Sequence, residues 1–150
     1  MRRKILITGG AGFIGSHLCE NLLNNGDEVF CFDNLSTGKL DNISHLKNRM
    51  TFIKGDANSF ADLESIFKSN KLSGVFHHAA IVGVRRTIES PIDVLNAVES
   101  ARNILNLSLK YNKPKVVFAS SSEVYGEPIE IPEAESGHVN PQMPYAVTKL

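Results

Sequence analysis

The stretch that most constrains this chain is Lys4–Leu18, KILITGGAGFIGSHL. Ile5-Leu6-Ile7 is a short apolar run with a β-branched bias, and Gly9, Gly12 and Gly15 follow at once, spaced G-x-x-G-x-x-G. Such a run reads as a strand buried on both faces of a parallel sheet. Ser16–Asn25 then places Leu18, Leu22 and Leu23 on one side of a helix. A strand that turns into a helix through glycines lets backbone approach a pyrophosphate closely. It also aims the unpaired N–H groups of the helix start at that anion. A glycine triplet alone is a weak signal, because glycines also close ordinary turns. The strand before it and the helix after it supply the confirming context.

An acid stands where such a turn needs one. Glu28–Phe32 reads as a second strand, and Asp33 ends it, 24 residues beyond Gly9. A carboxylate there can accept hydrogen bonds from an adenosine ribose and repels a 2′-phosphate, which favours NAD over NADP. The plainer alternative is a structural turn without a ligand.

Strands and helices alternate along the chain, so the expected class is α/β, a Rossmann-type doubly wound parallel sheet. A short helix is expected near Asp41–Leu46, a third strand at Met50–Lys54, and a helix capped by Ser59 running to about Asn70. Gly74–His77 reads as a fourth strand, followed by a loop to Ser90-Pro91 and one long helix ending before Pro114. Lys115–Ala119 is the fifth strand expected. Gly126–Gln142, with Pro128, Pro132, Pro141 and several acids, reads as a surface excursion before a last helix opened by Pro144.

Composition narrows the classes of function. The 150 residues suffice for one domain with a core, and sixteen basic residues balance sixteen acidic ones. No global field favours nucleic acid or an anionic membrane. The basic Arg2-Arg3-Lys4 precedes an apolar run far too short for a signal-peptide core, and no run approaches a membrane span. A cytoplasmic protein is expected. Cys19 and Cys31 read as small buried core residues, and the five histidines show no metal-ligand spacing, so no metal is expected. His77-His78 is expected to serve packing and hydrogen bonding.

Tyr145 and Lys149 lie four apart, on one face of the last helix. A free tyrosine titrates near 10, and a neighbouring ammonium favours the phenolate. The pair can therefore supply a base for a hydroxyl proton. The spacing alone is common on exposed helices. What adds weight is the serine run Ser120-Ser121-Ser122 at the carboxyl end of the fifth strand, where ligands of open α/β sheets sit.

The motifs TGGAGFIGSHL, DNLSTG, GDA, HHAA, SSSEVYG and YAVTK occur in that order. In this the chain resembles the extended short-chain dehydrogenase/reductases, and most nearly their NAD-dependent nucleotide-sugar epimerases, dehydratases and decarboxylases. UDP-glucose and UDP-glucuronate 4-epimerases and UDP-glucuronate decarboxylases are the groups it resembles most. The resemblance implies NAD held by Gly9, Gly12, Gly15, Phe13 and Ile14 at the pyrophosphate. It implies Asp33, Asn34, Leu35, Ser36, Thr37 and Gly38 at the adenosine ribose and Asp56 and Ala57 at the adenine. His78, Ala79 and Ala80 then lie along the nicotinamide side. Tyr145 matches the catalytic base, Lys149 its activator and a further cofactor contact, and Ser121 the residue that hydrogen-bonds the reacting sugar oxygen.

Two departures stand out. Relatives often carry Asn-x-x-Gly-Thr in the long helix. Aligned through Asn103, the leading Asn falls on Ala97, beside Asn96, and Ser100 and Ala101 replace Gly and Thr. Relatives also continue well past Tyr-x-x-x-Lys into a substrate-binding domain. Residues 1–150 therefore read as the NAD-binding domain alone, incomplete at its end and expected inactive by itself. Barely two turns of last helix are marginal unless packed, so Tyr145 and Lys149 are expected to be poorly fixed.

The shared chemistry implied is oxidation of a sugar hydroxyl, normally at C4. The expected function is 4-epimerisation of a nucleotide sugar, most simply a UDP-sugar, by a homodimer. Glu123, in Ser-Glu-Val-Tyr-Gly, matches a glutamate that dehydratases and uronate decarboxylases place by the sugar, so decarboxylation or 4,6-dehydration is the alternative. Ser122 stands where glucose dehydratases carry an aspartate. Arg85 is either a carboxylate or phosphate partner or a solvated loop arginine. A non-catalytic NAD-binding module is the alternative of another class.

Overall fold

The apolar runs form five strands: β1 (Lys4–Thr8), β2 (Glu28–Asp33), β3 (Thr51–Lys54), β4 (Gly74–His77) and β5 (Lys115–Phe118). In the computed structural model, which describes residues 2–150, they pair in parallel in the order β3-β2-β1-β4-β5. Ile7 of β1 lies between Cys31 of β2 and Phe76 of β4. This is the Rossmann-type sheet expected, and β1 is where the strand order turns back. Ligands of such sheets bind beyond the carboxyl strand ends at that point.

Successive side chains of a strand point to opposite faces, so each central strand feeds two cores. Leu6, Phe30, Phe32 and Val75 pack with Leu63, Ile66 and Phe67 of α2 (Phe60–Ser69) and with Ile104 and Leu107 of α5 (Val98–Lys110). Ile5, Ile7, Val29 and Cys31 pack on the other face with Cys19, Leu22 and Leu23 of α1 (Phe13–Asn24). Full burial of one such side chain stabilises by about 1.5–3 kcal/mol, and Phe32 and Phe67 are among the largest side chains wholly enclosed. Ser59 caps α2 as expected, its hydroxyl accepting the Asp62 amide at 3.4 Å. Cys19 and Cys31 are free thiols inside the core. The helix expected near Asp41–Leu46 is a 3₁₀ segment, Leu40–Leu46.

The chain forms two compact units. The first is Met1–Ala79 with Glu99–Phe118, and so holds the whole sheet; the second is Ala80–Val98 with Ala119–Leu150. The second departs from what the sequence suggests. Its expected loop holds a helix, α3 (Val84–Glu89), started where the Thr87 amide reaches the Gly83 carbonyl at 3.0 Å. The expected long helix is two, α4 (Pro91–Asn96) and α5, divided at Ala97. The Ala97 N–H is shared between the carbonyls of Asp93 (3.1 Å) and Val94 (3.2 Å), the tightening typical of a last turn. The last helix, α6 (Pro144–Lys149), packs on α4 and on the 3₁₀ turn Ser122–Tyr125. Residues 126–142 hold neither helix nor strand and are mostly exposed, as a surface excursion would be. No helix among the described residues is long and apolar enough to cross a membrane.

Candidate active site and cofactor cradle

The β1–α1 turn is built by backbone contacts that side chains would break. Gly9 adopts φ 71° and donates its amide to the Phe32 carbonyl at 2.8 Å. A Cβ on Gly15 would lie 2.1 Å from the Gly9 carbonyl oxygen. Helix α1 therefore starts pressed against the turn, at Phe13, three residues before the expected Ser16. No side chain caps it, which leaves its first amides for an anion. The Phe13 and Ile14 side chains are exposed.

Asp33 is buried at the end of β2. Its Oδ2 accepts the Ala11 amide at 2.9 Å and its Oδ1 the Leu35 amide at 2.8 Å. A carboxylate has about four acceptor positions, so two remain for hydroxyl donors. Gly38 lies against the same carboxylate. Asn34 Oδ1 accepts the Ser36 amide at 2.9 Å, and Leu35 sits at φ 62°. Ser36 and Thr37 are exposed.

The loop after β3 is held from two sides. The Asp56 amide donates to Asp62 Oδ2 at 3.0 Å. That bond, with the Ser59 hydroxyl, holds the Asp62 carboxyl below its ordinary value. Asn103, buried on α5, donates its side-chain amide to the carbonyls of Ala57 (3.2 Å) and Asn58 (2.9 Å). Sequence reasoning alone uses Asn103 only to align the helix and misses this role. The available signal is an amide among the apolar positions Ile104 and Leu107 of one helix face.

At the end of β4 the His78 amide donates to the Thr8 carbonyl at 3.1 Å, and the Ala79 amide to Thr8 Oγ1 at 3.3 Å. His77 is buried with both ring nitrogens in hydrogen bonds, as expected of a packing histidine. Ala80 is partly buried, in the second unit.

The second unit brings the expected catalytic residues onto two neighbouring elements. Ser121 precedes the 3₁₀ turn and accepts the Glu123 amide on its Oγ at 3.3 Å. Ser122 and Glu123 are exposed. On α6, Lys149 Nζ lies 5.6 Å from the centre of the Tyr145 ring. The expectation that this short helix leaves its residues poorly fixed is corrected for Lys149. Ala146 and Lys149 are buried, and Ser120 Oγ donates to the Lys149 carbonyl at 2.8 Å. Packing supplies what length does not. Burial also lowers the Lys149 ammonium below the ordinary lysine value. Arg85 lies on α3, not in a loop; it is 88% exposed and paired with Glu89 at 2.7 Å.

The chain is similar to nucleotide-sugar epimerases and decarboxylases along most of its length. A putative UDP-glucose 4-epimerase of Methanocaldococcus jannaschii is 40% identical over 97% of this chain and 47% of its own length. A UDP-N-acetyl-alpha-D-glucosaminuronate decarboxylase of Bacillus cytotoxicus is 44% identical over 85% of this chain and 39% of its own. The crystal structure of UDP-glucose 4-epimerase from Bifidobacterium longum, in complex with NAD+ and UDP, superposes with a TM-score of 0.90. It is 32% identical, over 97% of this chain and 45% of that one. The chain thus spans about half the length of the relatives it matches. The family model described as GDP-mannose 4,6 dehydratase matches residues 6–150, nearly the whole chain, and the protein belongs to that family.

Proposed function

We propose that the protein, in its full-length form, is an NAD-dependent nucleotide-sugar 4-epimerase acting on a UDP-sugar as a homodimer. The observation that carries the reading is Lys149, buried on α6 with its ammonium beside the Tyr145 ring. The epimerase relatives support the same reading. The cradle fits NAD: the close approach at Gly15, the uncapped start of α1 and the spare acceptors of Asp33 suit pyrophosphate and ribose. Leu105 and Leu109, exposed on α5, support the dimer.

When bound, NAD carries hydride to and from the sugar carbon. The remaining work falls to the chain. Tyr145 takes the proton of the sugar hydroxyl as it is oxidised and returns it when the ketone is reduced. The Lys149 ammonium favours the phenolate form of Tyr145, the form that can take that proton. Ser121 donates a hydrogen bond to the sugar oxygen. Its own acceptor side is engaged by the Glu123 amide, which leaves the proton free to point outward. Asp33 and Asn103 hold the adenosine end at a distance from the chemistry.

The second reading is decarboxylation of a UDP-uronate, favoured by Glu123, whose backbone amide bonds the Ser121 hydroxyl, and by the decarboxylase relative. Incubating the full-length protein with a panel of UDP-hexoses and UDP-uronates, followed by NMR, separates the readings. A mixture of C4 epimers without carbon dioxide release is expected. Carbon dioxide with a pentose product supports the second reading, and NAD binding with no turnover on any sugar overturns both. Glu123→Gln leaves epimerisation measurable and halts decarboxylation.

A further inference from the structure

A chain of buried polar groups runs through the first unit and ends at the cofactor cradle. Ser100 on α5 lies 2.9 Å from His77 Nε2. His77 Nδ1 lies 2.6 Å from Thr8 Oγ1, and Thr8 Oγ1 accepts the Ala79 amide at 3.3 Å. Thr8, His77 and Ser100 are all buried. Thr8 directly precedes Gly9, and a Cβ on Gly9 would lie 2.8 Å from the Ala79 nitrogen. The relay therefore ends where the backbone of the glycine turn meets the backbone after β4.

The placement is costly unless it has a use. Buried polar groups cost free energy unless paired, and the β4 positions before it, Val75 and Phe76, are apolar. An apolar residue at 77 would fill the site without that demand. Ser100 also stands at one of the two helix positions where the sequence departs from the Gly-Thr pattern of the proteins it resembles.

We propose that Ser100 is a positioning residue for the cofactor cradle, accepting a hydrogen bond from His77 Nε2–H and so fixing the ring that holds Thr8 and Ala79 at Gly9. The proton placement follows from the partners. A helical serine hydroxyl commonly donates back to the carbonyl of the preceding turn, which leaves its lone pairs for an incoming N–H. His77 then carries its proton on Nε2, and Nδ1 accepts from the Thr8 hydroxyl. The Thr8 oxygen keeps its lone pairs for the Ala79 amide. Loss of the Ser100 hydroxyl frees the ring, and the Ala79 segment loses its fixed distance from the glycine turn. The inference rests on the NAD reading above.

The test is long-range nitrogen NMR of the histidine ring together with NAD titration. The parent protein is expected to show His77 as a single Nε2–H tautomer. In Ser100→Ala that signature is expected to be lost and the NAD dissociation constant to rise about three- to tenfold, the range of one hydrogen bond. Ser100→Thr, which keeps the hydroxyl, is expected to restore both. A merely structural serine would lower the melting temperature and leave the tautomer unchanged. An Nδ1–H tautomer in a parent that binds NAD overturns the relay alone. So does a Ser100→Ala protein with the parent's tautomer and affinity. A parent that shows the Nε2–H tautomer and binds no NAD overturns the cofactor reading, and the relay's purpose with it.

Discussion

Gly15→Ala is the sharpest perturbation of the cradle. The added Cβ would lie 2.1 Å from the Gly9 carbonyl oxygen and 2.7 Å from the Gly10 Cα. Both are backbone atoms, so no side chain can turn aside, and the turn or the helix start must move by about 1 Å to reach ordinary contact. Overpacking of this kind costs about 1–3 kcal/mol, the upper end where backbone is displaced. Alanine in a helix returns roughly 0.5–1 kcal/mol relative to glycine. The net is about 2 kcal/mol, or about 4–8 °C in melting temperature for a chain of this size. A displacement of about 1 Å also stretches amide–phosphate hydrogen bonds beyond their working range. Each such bond to a charged group is worth about 1.5–3 kcal/mol, so losing one weakens NAD binding by roughly tenfold to a hundredfold. Gly12→Ala is the comparison, because its Cβ meets only the Gly9 oxygen, at 3.2 Å. It is expected to melt close to the parent in the absence of ligand. Differential scanning calorimetry and NAD titration provide the assay. A Gly15→Ala protein that melts with the parent and binds NAD equally well would refute the close-approach argument.

Asn103→Ala removes both bonds to the Ala57 and Asn58 carbonyls. A loss of about 1–3 kcal/mol in urea unfolding is expected, with a weaker grip on the adenine end seen in competition with AMP. Asp33 is expected to make NAD bind more tightly than NADP, and equal affinities by calorimetry would count against its assigned place. In the full-length protein, Tyr145→Phe is expected to lower turnover by about a hundredfold to ten-thousandfold with NAD binding retained, and activity within twofold of the parent would remove Tyr145 from the mechanism. Burial lowers the Lys149 value in the folded chain. Between that value and the ordinary lysine value the unfolded chain binds more protons, so this group makes stability rise with pH there. Urea unfolding between pH 7 and 10.5 checks it, and Lys149→Met is expected to flatten that part of the profile.

Local features are legible in the residues themselves. The strand–glycine–helix run at Lys4–Leu18, the Ser59 cap and the five strand positions depend on contacts within a few residues, which residue type and spacing report directly. The same holds for Tyr145 and Lys149, whose shared helix face follows from their separation. Boundaries are less legible. Helix α1 begins earlier than its apolar residues suggest, because backbone packing at Gly15 starts it. The break at Ala97 leaves no mark such as an internal proline, and it arises where one amide serves two carbonyls.

What residue spacing cannot supply is the partner of each buried polar group. Thr8 and His77 are 69 residues apart and meet because β1 and β4 pair in register at their ends. Ser100 reaches His77, and Asn103 reaches Ala57 and Asn58, because α5 lies over one face of the sheet. Lys149 looks in sequence like an exposed helix cation, yet packing buries it and moves its proton affinity. The sequence by itself determined the order of strands and helices and the chemical groups at their ends, since those are set by local backbone preference and hydrophobic period. The tertiary structure decided which groups meet, which are dry and which helix ends hold. Those depend on strand register and on desolvation, and neither exists until distant segments pack.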